Sequence, residues 1–121
     1  MKIRILDNHI RLRLEPDEVE LVASGQTLRS VTRFPSGAAF GYQLAGGGNV
    51  PHADFENGTI SILLPLLQLK HWATDQRAVS IRESIAGSCL TILVEKDFEC
   101  LEPRPGESQK NRFRRELIEA G

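Results

Sequence analysis

Two cysteines in 121 residues, Cys89 and Cys100, are too few for a disulfide framework. Cys89 falls in an apolar stretch, where a free thiol is expected to act as a small core residue. Long apolar runs are also missing. The longest, Ile60 to Leu67, is broken by Ser61 and Pro65 and falls well short of the roughly 18 residues of a membrane span. The opening MKIRILDNHIRLRL is charged at every second or third residue and lacks the apolar centre of a signal peptide. A cytoplasmic location is the resulting expectation, with no membrane partner.

Aromatic residues are scarce. One Trp, one Tyr and five scattered Phe offer no stacking platform of the kind that single-strand binders use. Charge of one sign is missing too: the formal net charge is −1, so no overall field draws the chain to nucleic acid. Nucleic acid is ranked last among partners for that reason. Near the carboxyl terminus Glu116 and Glu119 lie among Arg112, Arg114 and Arg115, which reads as a solvated face. The phosphate loop, the nucleophile elbow, Cys-x-x-Cys and His-Glu-x-x-His are all absent. His71, alone on a helical segment, is expected to serve packing.

What is present begins with a repeat. Residues 7–14 (DNHIRLRL) lie over 57–64 (NGTISILL), and 15–26 lie over 65–76, at an offset of 50 without gaps. The same offset sets 27–34 over 77–84 and 37–44 over 87–94. Identities are few, among them Ile10/Ile60, Leu14/Leu64, Ser30/Ser80 and Gly37/Gly87, but turn, strand and helix punctuation stays in step. Duplication of one unit is the favoured explanation, and chance likeness between two α+β stretches is the other. A single domain is expected over 1–101, with pseudo-repeats 1–50 and 51–100, followed by a linker and weak helix over 102–121.

Each unit reads as strand, strand, helix, strand, strand. Lys2–Leu6 and His9–Leu14 alternate charged and apolar residues around Asp7-Asn8, and Asn57-Gly58 is a strong hairpin signal in the second unit. Pro16 and Pro65 stand at helix starts, where a missing N–H costs nothing. Val19, Val22 and Ala23, then Leu66, Leu69, Trp72 and Ala73, form helical apolar stripes. Gly25 sits at a left-handed helix end, and Gly46-Gly47-Gly48 marks a turn between the halves. Closing strands fall at about 28–34 and 38–44, then about 77–83 and 88–96. The expected fold is α+β: a mostly antiparallel eight-stranded sheet, curled or closed into a barrel, with two helices. An open sheet with both helices on one face is the alternative.

Chemistry concentrates on the first hairpin. A two-residue turn sets Arg4 opposite Arg11 and Lys2 opposite Arg13, on the face away from Ile3, Ile5, Ile10, Leu12 and Leu14. Facing like charges destabilise a sheet, so this lattice calls for open solvent, carboxylates or a bound anion. With Arg33 added, Lys2, Arg4, Arg11 and Arg13 make the candidate anion site. Glu95, Asp97 and Glu99 alternate along an extended segment and are the candidate ligands of a divalent metal; His52, Asp54 and Glu56 share the same spacing. Plain solvation or an arginine–carboxylate network is the favoured explanation of all of these over a ligand or metal site, and no cofactor is evident.

The two ends of the chain resemble a family of small uncharacterised bacterial proteins that open with MKIRI, a short turn and IRLRL, and close with LVEKDF before a cysteine and leucine. Those stretches stand here at Met1–Ile5, Ile10–Leu14 and Leu93–Phe98, ahead of Cys100-Leu101. The resemblance implies no activity, because that family carries only a domain-of-unknown-function label. The order strand, helix, three strands, twice over, is also similar to the triphosphate-tunnel barrels, in which charged residues hold a triphosphate and a divalent metal. Their opening signature of alternating glutamates is not found in the first strand. Two functions follow as expectations: a binding or interaction module for a protein or small anionic ligand, or, as the alternative, a phosphate-ligand-binding protein or metal-dependent phosphohydrolase of the tunnel type. Whether the chain is an enzyme stays open at this point.

Overall fold

The structure, a computed structural model, describes residues 1–97; the expected linker and helix over 102–121, together with Glu99 and Cys100, lie outside the described residues. Eight strands and two helices follow one another as β1 (Lys2–Leu6), β2 (His9–Leu14), α1 (Pro16–Ala23), β3 (Leu28–Arg33), β4 (Ala39–Gly46), β5 (His52–Glu56), β6 (Thr59–Leu64), α2 (Leu66–Thr74), β7 (Ser80–Ser84) and β8 (Thr91–Lys96).

Local chemistry accounts for these elements. Asp7 adopts the left-handed region (φ 51°), as do Asn57 and Gly58 (φ 52° and 74°), which lets two-residue turns close β1–β2 and β5–β6. At Gly58 a Cβ would stand 2.7 Å from the Ala39 carbonyl oxygen, so glycine is required on space as well as on φ. Helix α1 opens on a capping box between Glu15 and Glu18, with Pro16 in its first turn. It ends as Gln26 N–H donates to the Leu21 carbonyl and Gly25 N–H to that of Val22, with Gly25 left-handed, the geometry of a Schellman cap.

The strands do not form one antiparallel sheet, nor a barrel. They make two four-stranded mixed sheets that are neither closed nor curled, ordered β1-β2-β8-β7 (sheet A) and β3-β4-β6-β5 (sheet B). Outer pairs are antiparallel hairpins, as expected, but both central pairs, β2–β8 and β4–β6, are parallel. Each helix carries the chain out of one sheet into the other, so every sheet takes one hairpin from each half. Turn residues decide which strands form a hairpin. They do not decide which hairpins become neighbours.

That choice follows burial. The central strands β2, β6, β4 and β8 carry Leu12, Leu14, Leu64, Leu44 and Val94, all fully buried on the inner faces. Each such side chain contributes about 1.5–3 kcal/mol on leaving water. Val19 and Val22 of α1, with Leu69 and Trp72 of α2, join both inner faces in one cluster, and the helices touch each other and β4. Tyr42 Oη donates to the Met1 carbonyl at 2.7 Å, tying sheet B to the start of sheet A.

The registers of the two sheets correspond. His9 lies beside Thr91 in sheet A and Thr59 beside Gly41 in sheet B, so each partner maps onto its counterpart fifty positions away. The ungapped offset slips at one place. Leu28 pairs with Leu44, whereas Val94, fifty positions beyond Leu44, pairs with Ile81, which is fifty-three beyond Leu28. Ser30 and Ser80 are therefore not equivalent. The β7–β8 connection also moves Cys89: it is exposed in the loop before Thr91 rather than inside a strand. Gly87, left-handed at φ 76°, keeps the chain in that loop. His71 is exposed as well, so it does not serve packing.

Candidate functional site

The outer face of sheet A carries the charged lattice of the first hairpin, in the expected register of Lys2 with Arg13 and Arg4 with Arg11. Pairing between the halves then extends it. One row across the sheet reads Arg4, Arg11, Leu93, Arg82, and the next reads Lys2, Arg13, Glu95, Ser80. Within these two rows of described residues, five cationic side chains thus stand with one carboxylate, Glu95.

Glu95 serves two of them. Its Oε1 lies 3.1 Å from Arg11 Nε and 3.7 Å from an Arg13 guanidinium nitrogen. That oxygen is shielded from water yet makes no aligned hydrogen bond, so the attraction is Coulombic rather than directional. Among the described residues, neither Arg4 nor Arg82 has an acidic partner.

The equivalent face of sheet B shows what a self-contained arrangement looks like. Arg29, the positional counterpart of Arg82, donates from Nε and a terminal nitrogen to Gln43 Oε1 at 3.0 and 2.7 Å. Gln43 in turn donates to Ser61 Oγ at 3.0 Å. In sheet A the place of Gln43 is taken by Leu93, which offers no acceptor. Arg82 is left facing outward beside an apolar neighbour.

Two shallow depressions run over these rows. One of about 390 Å³ is lined by Lys2, Arg4, Arg11 and Arg13. The second, of about 220 Å³, takes in Arg4, Arg11, Arg82, His9, Thr91 and Leu93. They share Arg4 and Arg11 and form one open trough. From β1 to β7 it crosses three inter-strand steps of about 4.8 Å, roughly 14 Å in all.

The structure unites Lys2, Arg4, Arg11 and Arg13, and separates Arg33 from them. Arg33 ends β3 opposite Ala39, on sheet B. Arg82 was not legible as a site residue, because its place on the same sheet as the first hairpin depends on β8 pairing with β2 across the halves. Its alternation with Ile81 was the one available signal.

Of the candidate metal trio, Glu95 and Asp97 lie among the described residues and Glu99 lies outside them. Glu95 is turned to Arg11 and Arg13, and Asp97 is buried just past β8, with its N–H donating to the Leu14 carbonyl at 2.8 Å. No three His, Cys, Asp or Glu of the described residues are grouped to hold a metal ion, and this includes His52, Asp54 and Glu56 on β5. No described helix is long and apolar enough to cross a membrane.

Neither the curated proteins nor the solved structures contain a match to this chain. One family model does match, over residues 1–117, and by that span the chain belongs to a family of unknown function, DUF7009.

Proposed function

We propose that the protein is a binding module whose ligand is a phosphate-rich anion held on the open outer face of sheet A. The observation that carries this reading is the imbalance of that face. Arg11 and Arg13 share one carboxylate, Arg4 and Arg82 have none among the described residues, and all four line the same trough. Facing cations cost a sheet some tenths of a kcal/mol per pair, up to about 1. A bound polyanion would remove that cost and gain charge-assisted hydrogen bonds from planar guanidinium groups.

The trough is shallow and open, which fits capture of an extended anion better than chemistry in a closed, dry site. The two units are read as copies of one ββαββ segment, a reading supported by their shared register. On that reading the two composite sheets diverged: sheet B carries a self-satisfied polar row and sheet A a basic one.

Thermal shift and calorimetric titration with pyrophosphate, tripolyphosphate and ATP, with and without Mg²⁺, test the proposal. Binding in the submillimolar range that weakens steeply with salt is expected. No stabilisation at millimolar ligand refutes it. Magnesium-dependent release of phosphate from tripolyphosphate would replace capture by hydrolysis, with Asp97 and Glu99 then the first carboxylates to test.

A further inference from the structure

β1 and β5 are edge strands of their sheets among the described residues. Each combines a charged side with an apolar one, and the two charges are opposite. β1 sets Lys2 and Arg4 on the outer side and Ile3 and Ile5 on the inner; β5 sets Asp54 and Glu56 outside and Ala53 and Phe55 inside. Ile5 is 50% exposed and Phe55 59% exposed, although both belong to the apolar side of a sheet. An edge with apolar side chains and open backbone groups is a template for another strand.

The geometry points to a contact between two copies of this chain, in which β1 of one copy pairs antiparallel with β5 of the next. The register follows from the hairpins. Two-residue turns make Leu6–His9 and Glu56–Thr59 the closing hydrogen-bonded pairs, so Ile3, Ile5, Ala53 and Phe55 aim their N–H and C=O groups at the open edges. Setting Ile3 against Phe55 and Ile5 against Ala53 joins those groups.

The same register brings Arg4 opposite Asp54 and Lys2 opposite Glu56 on the outer side. Sliding by two residues keeps only one of these charge pairs, and sliding by one sets charges against apolar side chains. In the free chain Asp54 Oδ1 accepts the Phe55 N–H at 2.8 Å. Pairing would hand that N–H to the Ile3 carbonyl and release the carboxylate to Arg4. Because β1 and β5 differ, the contact is heterologous and propagates into rings or short chains. Five-residue strands bury little surface, so association is driven by concentration.

Sedimentation velocity on the full chain from about 10 μM to about 1 mM tests this, a range set by weak strand-edge affinities. Wild-type mass should rise with concentration. Arg4→Glu or Asp54→Arg alone should weaken association by about tenfold or more, and an equimolar mixture of the two should restore it. A wild type that stays monomeric, single variants that associate as wild type does, or a mixture that stays dissociated would each overturn the proposal. The contact and the anion site share Arg4, and two variants outside that overlap separate them: Asp54→Arg should leave tripolyphosphate binding to the dilute chain intact, and Arg82→Ala should leave association intact.

Discussion

Glu95→Gln should move stability and ligand affinity in opposite directions. The carboxylate holds two ion pairs at 3.1 and 3.7 Å, with the Arg11 and Arg13 side chains 37% and 42% exposed and Glu95 20% exposed. Pairs so open to water contribute about 0.5–1 kcal/mol each after screening. Their loss, with the cations left facing one another, should cost about 1–2 kcal/mol at low salt. For a domain of this size that lowers Tm by roughly 5–10 °C. At about 1 M salt, where the screening length is near 3 Å, most of the difference should vanish.

Binding should go the other way. A carboxylate about 7 Å from a bound phosphate repels it by about 0.6 kcal/mol per ligand charge in water. Its removal should tighten tripolyphosphate binding about fivefold or more at low salt. Differential scanning fluorimetry of both proteins across salt, with and without tripolyphosphate, reads both effects in one plate. A Tm difference that ignores salt would refute the electrostatic account of the lattice. A ligand-induced rise smaller in the variant than in wild type would refute the placement of the anion beside Glu95.

Arg82→Ala should weaken tripolyphosphate binding about fivefold to tenfold by calorimetry while changing stability by under about 0.5 kcal/mol, because its side chain is exposed beside Leu93. Gly58→Ala should destabilise by about 1–3 kcal/mol in urea denaturation, given its φ of 74° and the Ala39 oxygen 2.7 Å from the added Cβ. Burial lowers the Lys96 pKa, partly offset by Asp75, while its Nζ lies over the Trp72 ring and donates to the Asp75 carbonyl. Between that lowered value and the ordinary lysine value of 10.5 the unfolded chain holds more protons, so the Lys96 contribution to stability should rise with pH through that window. Denaturation over a pH series rising to 10.5 should show wild type gaining on Lys96→Gln; equal slopes would contradict the shift.

The hairpins, the helices and the facing cations of β1–β2 were legible because each depends on chemistry within about fifteen residues. Asp7-Asn8 and Asn57-Gly58 set turn and register, and alternation then sorts Arg4 and Arg11 from Ile3 and Ile10. Glycine at position 25 and the Glu15–Glu18 box delimit α1 in the same local way. Sheet membership was decided only in the tertiary structure. Burial of Leu12, Leu14, Leu64 and Val94 placed β8 beside β2 and β4 beside β6, in parallel and across halves. That pairing brought Glu95 and Arg82 to the first hairpin, sent Arg33 to the other sheet, and left Cys89 in a loop. Turn chemistry and periodicity act along the chain, whereas the choice of neighbours between hairpins depends on which apolar faces can be buried together.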